Sequence, residues 1–114
     1  MRLTTPLNGT AEDTILIACT DLVQAFTAVQ LASALGNRPI GCLITVEGQQ
    51  SIRYGFNTAL TQGAEGSGAI GHILYAAQYL ILNNPGNIRV FNFINMLNGQ
   101  DAFIQVSMMY EIGG

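Results

Sequence analysis

Residues 40–56, IGCLITVEGQQSIRYGF, indicate the fold most directly. The first half alternates between two faces, with Ile40, Cys42, Ile44 and Val46 on one and Gly41, Leu43, Thr45 and Glu47 on the other. The second half also alternates, with Ile52, Tyr54 and Phe56 on one face and Ser51, Arg53, Gly55 and Asn57 on the other. A period of two is typical of β-strands with one face on a core. The link 47–50 carries Gly48 and predicts a hairpin between them.

The rest of the chain repeats this pattern of short apolar runs between turn residues. Gly and Asn clusters lie at 8–9, 36–37, 48, 63–68, 83–87 and 98–99. Asn98-Gly99 is the strongest hairpin signal and lies between the predicted strands 88–94 and 102–110. This spacing predicts an all-β fold, an antiparallel, jelly-roll-like sandwich of about eight strands.

The alternation in the last two runs assigns side chains to faces. Phe91 and Phe93 share one face, and Ile104, Val106, Met108 and Tyr110 share another. Since adjacent strand residues point in opposite directions, one of Met108 and Met109 is expected in the core and the other at an interface.

Two stretches, 12–35 and 70–82, have apolar spacings that a helix could also satisfy. The first is rich in β-branched residues, and the second follows Gly66-Ser67-Gly68 and contains Gly71. Both features favour strands, so each stretch is predicted to be a strand with a bend.

The 114 residues suffice for one domain. We assign residues 1–10 to an N-terminal arm that becomes ordered on a partner, and residues 11–114 to a single β-sandwich domain. No signal peptide is visible, because residues 1–10 are polar and contain Pro6. The expected place of synthesis is a reducing cytoplasm.

The surface of this domain has unusually few charges. Charged residues make up 10% of the chain, against about 25% in an ordinary soluble domain. The four basic residues are all arginines, and the mean hydropathy is +0.34. Because interfaces are depleted in lysine and enriched in arginine, the chain is expected to be a homo-oligomer, a dimer or trimer. The net charge of −3 and the scattered arginines argue against nucleic acid, and the apolar stretch 69–82 is too short for a membrane span.

The chain offers little for catalysis. His72 is the only histidine, and Cys19 and Cys42 lack metal-ligand spacing, so they are expected to be buried thiols. Ser51, Ser67 and Ser107 lie outside any G-x-S-x-G motif. His72 is therefore predicted to be a partly buried strand residue bonded to backbone, and the acids to be solvated turn residues. The 63–68 segment lacks a Gly-Lys-Ser/Thr and is interpreted as a mobile or partner-ordered surface loop. We expect no catalytic, cofactor-binding or metal-binding residues, no cofactor, and no enzyme activity.

Several runs carry a resemblance to a known group of proteins. They are 51–54, 71–74, 79–82, 87–94, 101–106 and 110–111. In this order they resemble the small jelly-roll-like virion proteins of tailed bacteriophages, including capsid decoration and cement proteins. The resemblance implies a β-sandwich on the capsid exterior that forms dimers or trimers, clamps neighbouring subunits of the major capsid protein and has no active site.

Two other functions remain open. A carbohydrate- or receptor-binding β-module on a phage fibre or spike would need stacking aromatics, for which Tyr54, Tyr75 and Tyr79 are the candidates. A small enzyme on a cupin-like barrel would need a metal triad, and the chain has one histidine.

Overall fold

The computed structural model describes residues 10–32 and 38–110. The strands are β1 (Thr10–Cys19), β2 (Gln24–Ala25), β3 (Pro39–Glu47), β4 (Ile52–Phe56), β5 (His72–Leu74), β6 (Tyr79–Leu82), β7 (Phe91–Asn95) and β8 (Ala102–Tyr110). One helix, α1, spans Pro85–Val90. The strands form two antiparallel sheets: sheet A has the order β1-β8-β3-β6, and sheet B the order β2-β7-β4-β5. The predicted all-β sandwich is confirmed.

The connections give the sandwich a jelly-roll topology. The chain crosses between the sheets at every step except β4 to β5. Apart from β4 with β5, each strand therefore pairs with strands that are not its neighbours in sequence; β8, for example, lies between β1 and β3. This arrangement brings the first, middle and last parts of the chain into one four-stranded surface.

The core lies between the sheets and is formed by the predicted alternation. Cys42, Ile44 and Val46 of β3 are buried against sheet B. The inward residues of β8, Ala102, Ile104, Val106, Met108 and Tyr110, are buried beside them. Sheet B contributes Phe91 and Phe93, whose rings lie 5.8 Å apart. Burial of each of the Val, Ile, Met and Phe side chains in this set stabilises the fold by about 1.5–3 kcal/mol.

Both predicted hairpins are wrong. β3 and β4 lie in different sheets, so residues 48–51 cross the sandwich. β7 and β8 also lie in different sheets, although Asn98-Gly99 does form a tight turn closed by a bridge between Leu97 and Gln100. The reason is that alternation shows which side of a strand meets the core, and it does so equally well for strands on opposite sides of that core.

The predicted strand 88–94 is also partly wrong, because its first residues belong to α1. Pro85 begins the helix, and the Asn84 side chain accepts a hydrogen bond from the backbone N–H of Asn87 at 3.1 Å. An Asn cap followed by proline starts helices well, since the cap satisfies a free N–H and proline needs none. No helix within the described ranges is long and apolar enough to cross a membrane.

Each of the two ambiguous stretches contains strands and no helix among its described residues, which confirms β structure in part, but neither stretch is one bent strand. Residues 70–82 contain β5 and β6, and the predicted bend is the crossover between the sheets. Residues 12–25 contain most of β1 and all of β2, whereas residues 28–31 form a turn where a strand was predicted, and residues 33–35 lie outside the described residues. The predicted N-terminal arm lies outside the described residues except for Thr10, which begins β1.

Candidate contact surface

The outer face of sheet B is covered by the chain itself. The long β4–β5 loop, residues 57–71, runs across it and buries Leu60. Gly71 has a φ of 129°, and a Cβ there would lie 2.9 Å from Cδ2 of Leu60. Glycine at this position therefore permits both the backbone conformation and the close approach of the loop. The loop gives sheet B a small second apolar layer.

Arg53 holds this loop in place from below. Its side chain is only 4% exposed. Nε and Nη2 donate to the carbonyl of Gly63 at 2.9 and 2.8 Å, Nη2 also donates to Ala64 at 3.0 Å, and Nη1 donates to Gly71 at 2.8 Å. Carbonyl oxygens thus replace water around a buried cation. Gly63 and Ala64, at the base of the 63–68 segment interpreted as a mobile or partner-ordered loop, are thus bound to Arg53.

A polar cluster at one end of the sandwich also binds the 57–71 loop, through Gln62. Oδ1 of Asp21 accepts hydrogen bonds from Asn95 Nδ2 at 2.9 Å, Gly99 N at 2.8 Å and Gln62 Nε2 at 3.0 Å. Gln62 also donates to the Asn95 side-chain oxygen. The bonds from Asn95, then Gly99 and Gln62, favour the carboxylate and lower the pKa of Asp21. This cluster joins three loops.

The outer face of sheet A is different, and we call it the open face. Its outward residues are Thr14, Leu16, Ala18, Gly41, Leu43, Thr45, Glu47, Tyr79, Ile81, Phe103, Gln105, Ser107 and Met109. Leu16 is 59% exposed, Phe103 43% and Tyr79 37%. Within this set the only charged side chain is Glu47, which accepts a hydrogen bond from Gln105 at 2.7 Å. The open face is therefore broad, apolar and nearly uncharged.

The sequence reasoning assigned the two methionines correctly to opposite faces. Met108 is buried in the core, and Met109 lies half-buried on the open face. Cys19 and Cys42 are free thiols with no exposed surface, and burial raises the pKa of each to about 12. The prediction that they are buried is confirmed.

His72 is more exposed than predicted. It lies on β5, at the edge of sheet B, and its ring centroid is 5.4 Å from that of Tyr54. Tyr54 in turn packs 5.6 Å from Phe91 in the core. Tyr54, Phe56 and His72 line a cavity of about 490 Å³. The edge position explains the exposure of His72, since no further strand of sheet B lies beyond β5 among the described residues.

The candidate stacking tyrosines do not form one platform. Tyr54 is half-buried at the core, and Tyr79 is on the open face. The Tyr75 hydroxyl donates to the Glu65 carboxylate, and this bond raises the pKa of Tyr75.

The three serines considered for catalysis each have other partners. Ser51 Oγ accepts from Ala76 N at 3.2 Å, Ser67 Oγ accepts from Ala69 N at 3.4 Å, and Ser107 Oγ bonds to Thr14 Oγ1 at 2.7 Å. Of the acids, Asp21, Glu65 and Asp101 lie in loops and Glu47 ends β3. Glu12 and Asp13 lie within β1, so the prediction of turn positions is wrong for these two.

Sequence reasoning missed the role of Arg53. The signal was an arginine in the middle of an alternating strand, two residues before Gly55 on the same face. No family model, curated protein or solved structure matches the chain. Its function must therefore be argued from its own surfaces.

Proposed function

We propose that this chain is a non-catalytic virion structural protein, a capsid decoration or cement subunit that binds the major capsid protein through the open face. The observation that carries the proposal is the contrast between the two sheets. The chain covers the outside of sheet B with its own loop, and it leaves Leu16, Phe103 and Tyr79 exposed on sheet A.

The chemistry of the open face suits a permanent seam between subunits. Apolar side chains among neutral polar ones can be buried without stripping water from charges. A contact of this kind depends little on salt, since few charges are available for screening. The one carboxylate, Glu47, is already bonded to Gln105 within the face.

The size of the face bears on how it is used. Four strands about 4.8 Å apart and about eight residues long span roughly 500 Å². A stable one-to-one interface buries about 800 Å² on each partner. One open face is therefore small for tight binding, whereas several linked copies on a repeating capsid lattice gain from multivalency.

Co-sedimentation with empty capsids of the same virus tests the proposal. The chain should sediment with capsids, and Phe103→Lys should weaken binding at least about tenfold by placing a charge in the seam. Ile70→Lys is the matched control, because Ile70 is 52% exposed in the loop on the opposite side. Absence of capsid binding by the unmodified chain, or equal loss in both variants, would contradict the proposed role.

A second function, carbohydrate or receptor binding on a fibre or spike, is favoured by one observation. The cavity beside Tyr54, Phe56 and His72 presents aromatic rings to solvent. A glycan array separates the two functions: glycan binding that His72→Ala abolishes, without capsid binding, would favour this alternative.

A further inference from the structure

The four sheet edges differ greatly in length. β2 has two residues, β5 three and β6 four, whereas β1 has ten. Proteins commonly shorten their edge strands, because a long edge displays unpaired N–H and C=O groups that bind another strand. Three edges of this sandwich follow that rule, and β1 does not.

The sequence of β1 does not protect its edge over residues 14–19. This segment, TILIAC, contains no charge and no proline. A register irregularity interrupts its pairing with β8 between Ala11 and Thr14, and the pairing is regular from Thr14 to Cys19. Among the described residues, β1 pairs with β8 alone. Bulges, prolines and charged side chains are the usual protection for an edge. The start of β1 has the irregularity and the acids Glu12 and Asp13, and from Thr14 onward β1 lacks all three.

The core is also incompletely closed along this edge. Ile15 and Ile17 face inward and pair with Val106 and Ile104 of β8. The two β8 residues are fully buried, whereas Ile15 and Ile17 are only half-buried. β2, the matching edge of sheet B, has only two residues, and the turn after it leaves a cavity between Ile15 and Val29, Gln30 and Ala32. A strand added beside β1 would bury this remaining apolar surface.

We propose that β1 of a second copy of this chain occupies the edge, so that two sheets A join into one sheet of eight strands. Antiparallel pairing of a strand with itself places a two-fold axis perpendicular to the sheet. Opposed residues must point to the same side, so the axis lies midway between the two copies of one residue. When the axis lies between the two copies of Leu16, Ile15 of each copy lies opposite Ile17 of the other. Thr14 of each copy then lies opposite Ala18 of the other.

This pairing does not depend on the virion role, but it has a consequence for it. The two-fold axis puts both open faces on the same side of the joined sheet. The combined face then spans roughly 1,000 Å², the range of a stable interface.

Sedimentation analysis of the isolated chain, without capsids, tests the pairing. The unmodified chain should be a dimer. Leu16→Lys places like charges opposite each other at the axis and should weaken dimerisation about tenfold. Phe103→Lys adds the same charge to the same face, away from the edge, and should remain dimeric. Far-ultraviolet circular dichroism checks that both variants are folded.

Disulfide trapping gives an independent test of the register. Leu16→Cys should form a cross-linked dimer on mild oxidation, and Phe103→Cys should not, while the native thiols are buried. Faster cross-linking of Phe103→Cys would indicate face-to-face association and overturn the proposal. A monomeric chain at its highest soluble concentration would also overturn it, even if capsid binding were intact. A dimer that ignores capsids would instead contradict only the virion role.

Discussion

The guanidinium of Arg53 is expected to account for much of the stability of the sheet B side. Arg53→Met keeps a long apolar side chain and removes the four donated hydrogen bonds to Gly63, Ala64 and Gly71. Without these donors, three carbonyl oxygens have no hydrogen-bond partner unless water reaches them. The 57–71 loop must open to admit that water.

The magnitude follows from the number and type of these bonds. A hydrogen bond from a charged donor contributes about 1.5–3 kcal/mol net. The loop recovers part of this through water, and the buried charge no longer has to be desolvated. We therefore expect Arg53→Met to lower the free energy of unfolding by about 3 kcal/mol. For a domain of this size the midpoint of thermal unfolding should fall by roughly 15 °C.

Urea unfolding measures the free energy, and limited proteolysis within 57–71 reports whether the loop opens. Arg89→Met is the matched control, because Arg89 is exposed in the last turn of α1 and should change stability by less than about 0.5 kcal/mol. If Arg53→Met unfolds at the same urea concentration as Arg89→Met and its loop resists proteolysis equally, the assigned role of Arg53 is refuted.

Two further predictions concern the polar cluster and the thiols. The pKa of Asp21 is lowered in the folded state, so its contribution is present above the unfolded pKa of about 4 and is lost as pH falls through the folded value. Asp21→Asn should therefore unfold at lower urea than the unmodified chain at pH 7, with the difference closing below about pH 4; a constant difference would contradict this. Cys19 and Cys42, with pKa values near 12, should react with an aromatic disulfide reagent at pH 8 only in urea, and rapid reaction of the folded chain would show that the core opens there.

The sequence by itself determined the class of the fold and the orientation of most strand residues. A period of two at 42–46 and 102–110 corresponds to a physical alternation of side chains, so Cys42, Ile44, Val46 and the inward residues of β8 could be assigned to the core without coordinates. The split between Met108 and Met109 follows from the same geometry. The scarcity of charge can also be read from composition alone, and it gave the prediction of a partner surface.

Tertiary structure decided which strands are neighbours and which surface is left open. The segments 47–50 and 98–99 look like hairpin turns locally, yet each leads into the opposite sheet. Alternation shows which side chains of a strand face the core, but the choice of neighbouring strands depends on the long-range packing of the whole sandwich. For the same reason the sequence could not show that the 57–71 loop covers sheet B, that Arg53 binds it, or that β1 is a long edge. These features arise from contacts between residues far apart in the chain. The free energies of such contacts cannot be deduced from a local sequence pattern.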